Sequence, residues 1–372
     1  MRLGVDARVL VHRPTGVARY LAGLMTQWPD FKRPDDRLVY YVDRSPEQPL
    51  TPPPDELRVA RTRLPGGDPV WRQWSLRRAI RRDPPDLLFC PFYSAPLLTE
   101  VPTVVTVHDV SFASHPEWFR LKSRLAFAIS GPSARRARRV LTVSHFSAKE
   151  IVEYLNVPAE RVSVIPPGIS PAMSQAPTAD EVAAMRAWLH WDGPYFLHLG
   201  AVHQRRHVDS LVRAFARLAP RRRDLGLVIT GPTIQPAPDL AQMVTEEFRL
   251  KTQVIRREWV PEEHLRALVA GATALVYLSS YEGFGLPCLE AMASGTPVIA
   301  MPIASLPEVL GDAALWVPSH EPEKVARAME SILNDTVLPR QLSELGRSRA
   351  ALFDWRVSAE RTFDLFREIA GG

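Results

Sequence analysis

The stretch YEGFGLPCLEAMASGTPVIA spans Tyr281 to Ala300. From Leu286 to Ala293 nearly every side chain is apolar or small, so the pattern predicts a helix apolar all round, which belongs in an interior. Pro287 is tolerated in its first turn, and Gly295 is a good stop ahead of Thr296-Pro297. Glu290 does not fit this setting, because a lone buried carboxylate is expensive unless something pairs with it. Eight residues earlier, in a glycine-rich turn, stands a second acid, Glu282. The helix start between them offers free N–H groups and positive potential, a ready anion site. A ligand with a diphosphate in the centre and hydroxyls at both ends suits all three features. The blander alternatives are a solvated loop acid at Glu282 and a buried structural ion pair at Glu290.

Working outward, short β-branched runs alternate with helical patterns. Strand candidates are Leu3–Val5, Leu38–Val42, Leu87–Phe89, Val104–Val107, Val140–Val143, Val162–Ile165, Tyr195–Leu199, Leu225–Thr230, Ala274–Leu278 and Val298–Ala300. Val208, Leu211, Val212 and Phe215 fall at i, i+3, i+4 and i+7, one face of a helix. Such alternation means parallel sheets covered by helices on both faces. Ten strands are many for one sheet, and Pro166–Glu181, rich in Pro, Ala and Ser, reads as a linker. The expectation is an α/β chain of two facing doubly wound domains, 1–168 and 190–350. The last helix, Trp355–Ile369, is open to either. Ligands then bind where the strand C-termini meet a shared cleft. The loops concerned are Ala7–Gly16, His108–Ser111, Ser144, Gly200–His207, Gly231 and Ser279–Gly285.

The chain has 372 residues, 46% hydrophobic and 23% charged, an ordinary globular composition. No apolar run approaches the roughly 20 residues of a membrane span, and the start reads as a strand rather than a signal peptide. Cys90 and Cys288 are too few for a disulfide framework or a metal site. The chain reads as cytoplasmic. Its net charge is +5, and arginine outnumbers lysine 41 to 5. Trp71–Arg82 carries five arginines, and Arg120–Arg139 seven basic residues and no acid. Attraction to an anionic lipid surface is one reading of these segments, and a solvated arginine-rich face the other. No nucleic-acid motif accompanies the charge.

Several signatures are missing: G-x-G-x-x-G after a strand, the P-loop, H-E-x-x-H and G-x-S-x-G. D-x-D is absent too, which disfavours a metal-bridged diphosphate site. What remains is a glycine-turn and basic-loop scheme. Arg205 and Arg206 follow the turn at Gly200, and guanidinium groups suit phosphate oxygens bidentately. His108 and Asp109 come directly after a strand, where a histidine can bond a ligand or move a proton. Gly16, before a helix, lets a phosphate approach closely.

The motifs TGVARY, VVTVHDVSF, VLTVSHFSAKEIVEYLNVPAERVSVIPPGIS, LGAVHQRRH and EGFGLPCLEAMASGTPVI occur in this order along the chain. Together they resemble the retaining family-4 glycosyltransferases with the GT-B fold, and the last is similar to that family's E-x7-E element. The resemblance implies that Glu282 holds the transferred sugar's hydroxyls, with Gly283 and the backbone N–H groups of Phe284, Gly285 and Leu286. It implies Glu290 for the nucleotide ribose and Arg206, with Arg205, for the diphosphate. Gly16 would border the diphosphate and acceptor, and His108 the reacting sugar. Residues 355–372 would return to the first domain.

Where the family often has Lys-Asn this chain has Arg206-His207, and Ala201 stands where some members have Arg. Arginine still neutralises phosphate, so the activity is kept. The expectation is a retaining hexosyltransferase, mannose first, with no metal or other cofactor. The donor would be a GDP- or UDP-linked sugar, and the acceptor a glycan or lipid-linked glycan, with peripheral contact at the inner membrane face. A sugar-nucleotide epimerase of the same fold and an inactive nucleotide-sugar-binding scaffold are the alternatives.

Overall fold

The apolar runs become strands of two parallel sheets. A computed structural model describes residues 1–12, 15–62 and 67–371; part of the expected ligand loop Ala7–Gly16, at positions 13 and 14, lies outside them. The first sheet holds β1 (Arg2–Asp6), β2 (Arg37–Val42), β3 (Glu56–Val59), β4 (Leu87–Cys90), β5 (Thr103–Thr106), β6 (Arg139–Thr142) and β7 (Val162–Val164), in the order β3-β2-β1-β4-β5-β6-β7. The second holds β8 (Tyr195–His198), β9 (Gly226–Thr230), β10 (Val254–Arg257), β11 (Ala274–Tyr277), β12 (Val298–Ala300) and β13 (Ala314–Trp316), in the order β10-β9-β8-β11-β12-β13. The winding reverses between β1 and β4 in one sheet and between β8 and β11 in the other. Such switch points are where the loops at strand C-termini part and leave room for a ligand.

The ten expected strands are present, and β3, β10 and β13 are additional. All three lie at sheet edges. An edge strand is covered incompletely, so its sequence lacks the continuous apolar run of a central strand. β3 alternates half-buried and exposed residues, whereas β4 and β5 are buried throughout.

The chain divides into Met1–Gly168 with Phe353–Gly372, and Ile169–Leu352. The second unit thus begins before residue 190. The helix Ala179–Leu189, opened by a capping box between Thr178 and Glu181, packs on the helix Glu262–Ala270. Residues 169–189 are therefore part of the second unit and not a free linker. The helix Trp355–Gly371 packs on Gly16–Phe31 in the first unit. It buries Trp355, Ala359, Thr362, Phe363 and Phe366, and Phe363 and Phe366 stand edge-on to Trp28 at 6.0 and 6.2 Å.

The basic segments are not uniformly exposed. Arg72 is buried, with Nε 2.7 Å from the buried Asp6 carboxylate at the end of β1, because a charge removed from water needs a partner. Arg78, Arg81 and Arg82 stay exposed. In the second segment the helix Leu121–Phe127 buries none of its residues. No helix among the described residues is long and apolar enough to cross a membrane.

The aromatic contacts make Phe363 the anchor of the last helix. Phe363→Ala should cost about 3–5 kcal/mol, as for other buried aromatic truncations, read as an earlier urea transition of the first unit. A loss below about 1 kcal/mol would show that the helix is not fastened there.

Candidate active site

The second unit brings most of the expected residues together at its switch point. The loop after β8 carries Arg205 and Arg206, and the loop after β11 carries Glu282. Gly200 begins the first loop with φ at 128°, a backbone that side chains rarely adopt. A Cβ there would also stand 2.0 Å from Arg206 Nη1, so glycine lets the guanidinium fold back over the turn. Arg206 then lies over the Tyr277 ring at 5.4 Å, with Nη2 3.3 Å from Glu282 Oε1. Burial pushes the Glu282 carboxyl up, but the charges of Arg206 and Arg205 outweigh it and hold the group below the usual carboxylate range. Glu282 is thus ionised though 8% exposed. Its Oε1 is buried and has no hydrogen-bond partner among the described residues. The field beneath is positive: burial, with the charges of Arg206 and Arg256, pushes the buried His198 down to about 3 and keeps it neutral.

Arg205 does different work. Its Nη1 donates to the Tyr281 carbonyl at 2.8 Å, and its own carbonyl accepts from Ser280 N at 2.8 Å. From the other side Ser305 Oγ donates to the Glu282 carbonyl at 2.8 Å. Of the expected arginine pair, Arg206 faces the carboxylate and Arg205 grips the turn that carries it.

The turn Gly283-Phe284-Gly285 leads into the helix Leu286–Ala293. Gly285 is its N-cap, with φ at 101°, and the Leu286 N–H begins the set of donors that a helix start leaves over. Pro287 has no N–H, so it gives up a donor that the helix does not use. The far end closes as expected: Gly295 N donates to Met292 O at 2.9 Å and Thr296 N to Ala291 O at 2.8 Å, a Schellman motif. Glu290 is half-buried rather than enclosed. Between the two acids lies Cys288, whose thiol is pushed up by burial, with Glu282 and Glu290 both adding to the effect. Both carboxylates therefore act on one small region beside the helix start.

The comparisons with known proteins fit this geometry. The family described as Glycosyl transferases group 1 matches residues 186–349, and Glycosyltransferase Family 4 matches residues 14–172. The O-antigen chain mannosyltransferase B of Escherichia coli is 31% identical over 268 residues, 71% of this chain and 70% of that protein. The chain belongs to the family-4 glycosyltransferases of the GT-B fold. The serotype-specific mannosyltransferase WbdA of Escherichia coli is 26% identical over 238 residues, 63% of this chain, and the match spans 29% of that longer protein. The sucrose-phosphate synthase of Thermosynechococcus elongatus, 20% identical, superposes with a TM-score of 0.78 over 99% of this chain and 98% of its own. That likeness shows the fold alone.

The remaining expected residues of the glycosyltransferase are in the first unit. His108 follows β5, half-buried, with its ring edge-on to Tyr20 at 4.9 Å. Its Nε2 donates to the Pro91 carbonyl at 2.9 Å, which leaves Nδ1 as the acceptor of a neutral ring. Burial lowers its pKa further. Asp109 accepts from Ser111 N, Ser111 Oγ and Tyr93 OH, a structural role. Gly16 opens its helix after the Thr15 cap. A Cβ there would meet nothing within 4 Å, so no packing within the chain requires glycine. Tyr277, His198 and Ser305 escaped the sequence analysis. Tyr277 and His198 end apolar strands, where the alternation of faces alone could have pointed them out.

The pair makes a prediction about Glu282. While ionised at a lowered pKa, it stabilises the fold above the ordinary glutamate pKa of about 4.3, and this contribution is lost as pH falls through the folded value. In Arg206→Ala the largest charge opposing burial is gone, so the carboxyl should titrate higher than in the wild type and its contribution should be lost at a higher pH. Carbon-13 NMR of the Glu282 carboxyl checks this, and an unchanged titration would contradict the pairing.

Proposed function

We propose that this glycosyltransferase moves mannose from GDP-mannose to a saccharide or lipid-linked glycan acceptor, with retention at the anomeric carbon and without a metal. The observation that carries the donor reading is the ionised, buried Glu282, whose Oε1 is ion-paired with Arg206 but accepts no hydrogen bond among the described residues. A sugar hydroxyl donates readily to such an oxygen, and burying it unpaired is otherwise costly. Mannose is favoured by the names of the two mannosyltransferase relatives, and GDP by the EGFGLP stretch, which resembles bacterial mannosyltransferases for polysaccharides.

In this scheme Arg206 and the helix start at Leu286 hold the diphosphate. Glu282 and the backbone of Gly283, Phe284 and Gly285 hold the sugar, and Glu290 holds the ribose. Arg205 keeps the turn in place. His108 keeps a neutral ring nitrogen for a ligand at the end of β5. The acceptor hydroxyl forms its bond to the anomeric carbon on the face from which the diphosphate leaves. The sugar–phosphate bond breaks, and the hydroxyl proton passes to the departing phosphate oxygen. Charge on that phosphate is stabilised by groups already in place, the efficient form of electrostatic catalysis. Arg206 and backbone N–H groups do here what a divalent cation does elsewhere.

We also place the first unit against a membrane surface. Leu121 and Leu125 sit one helical turn apart and are 69% and 68% exposed, between Arg120, Lys122 and Arg124. An apolar ridge flanked by cations is the pattern of an interfacial helix.

Two experiments follow. Calorimetry with GDP alone, in EDTA, separates the glutamates. Glu290→Gln should bind about 10- to 150-fold more weakly, the worth of a charge-assisted hydrogen bond of roughly 1.5–3 kcal/mol. Glu282→Gln should bind GDP as the wild type does but turn over GDP-mannose poorly. Equal weakening in both variants, or transfer that needs added Mg²⁺, would contradict the assignment. For the membrane, co-sedimentation with vesicles rich in anionic lipid should be strong, salt-sensitive and lost in Leu121→Ser/Leu125→Ser. Binding indifferent to lipid charge would return this face to solvent.

A further inference from the structure

His207 has no task in the donor reading, yet it is built into the same loops. Its backbone is left-handed, with φ at 47°, at the N-cap of the helix Val208–Leu218. Its ring lies on that of His320, with centroids 3.8 Å apart and planes within 9°. Its Nε2 is hydrogen-bonded to Ser280 Oγ, two residues before Glu282. With the two Arg205 contacts and the Arg206–Glu282 pair described above, the loop after β8 therefore holds the loop after β11 at four points. His320 is exposed, between β13 and the helix Pro322–Asn334.

The His207 contact is the one that carries a histidine proton. Two rings face to face cannot both take a proton without like-charge repulsion. A cation on His207 would also stand at a helix N-terminus, where the N–H groups already point positive charge. The charged groups around it are few. Asp209, on its own helix, favours the charged ring, but burial and His320 outweigh it and lower the pKa of His207. Arg206 is taken up by Glu282. Next to His320, Glu321 is paired with Lys324 at 2.9 Å.

We infer that His207 is a positioning residue whose neutral ring, stacked on His320, holds Ser280 and with it the Glu282 turn, and that acid releases this hold. The inference rests on the donor reading above for its effect on binding. Its sign follows from the lowered pKa: the hold is complete above the ordinary histidine value of about 6.5 and is lost progressively as pH falls below it.

The test compares the wild type with His207→Asn and His207→Ala. Asparagine tolerates the left-handed backbone and can bond Ser280, but it carries no titrating proton. GDP-mannose and UDP-glucose serve as probes, because their diphosphates do not titrate in this range. Between pH 7.5 and 5.5 the wild type should lose about 2- to 10-fold in affinity, the worth of one neutral hydrogen bond. His207→Asn should match the wild type at pH 7.5 and stay flat, and His207→Ala should be weak at both pH values. Wild-type affinity that is unchanged or higher at pH 5.5, or an equal loss in His207→Asn, overturns the inference. If neither nucleotide sugar binds at pH 7.5, the donor reading fails, and melting curves decide this one. The wild type should then lose melting temperature on acidification relative to His207→Asn, and equal losses overturn it.

Discussion

Glu282 keeps its charge inside the second unit because Arg206 stands 3.3 Å away. Taking either group out of water alone would cost several kcal/mol, so neither is placed without the other. Much of the surrounding chain serves to bring them together. Gly200 clears the space that the Arg206 guanidinium occupies, and Tyr277 gives it an aromatic face to lie on. Ser305 and Arg205 fix the backbone on either side of Glu282. The ion pair still leaves Oε1 without a hydrogen bond among the described residues. An ionised, buried oxygen that accepts no hydrogen bond has room for one from a sugar hydroxyl.

The same constraint explains why the site stands at the switch point of the sheet. Strands β8 and β11 are hydrogen-bonded neighbours, but the chain leaves them toward opposite sides of the sheet. Their following loops part, and a basic loop and an acidic loop can approach without a side chain from an intervening strand. The helix Leu286–Ala293 then begins beside the pair and adds positive potential. Arginine, helix start and carboxylate are thus the direct outcome of one parallel topology with glycine at two turns.

The central strands were legible in the sequence because burial on both faces writes a continuous apolar run. β3, β10 and β13 were not, because an edge strand such as Glu56–Val59 keeps polar residues on its open side. Glu282 and Arg206 could be read from residue type in a glycine turn after a strand. Their neighbours show the limit of that method. Arg205 has the same chemistry as Arg206 one residue away, and only the direction of its side chain separates the clamp on the turn from the partner of the Glu282 carboxylate. The stack of His207 on His320 joins positions far apart in the chain, so nothing local records it. Arg72 belongs by its charge to a surface patch, because charge implies exposure by default, and its partner Asp6 lies far away in the chain at the end of β1.

We have proposed that the second unit binds a mannosyl nucleotide and that the enzyme hands the sugar on. Proton NMR of a reaction containing GDP-α-mannose, an O-antigen-type mannosyl acceptor and EDTA tests it most directly. Release of GDP together with a new α-linked mannosyl signal is expected. Release of free mannose epimers without acceptor, a β-linked product, or transfer from a UDP-sugar with none from GDP-mannose would contradict it.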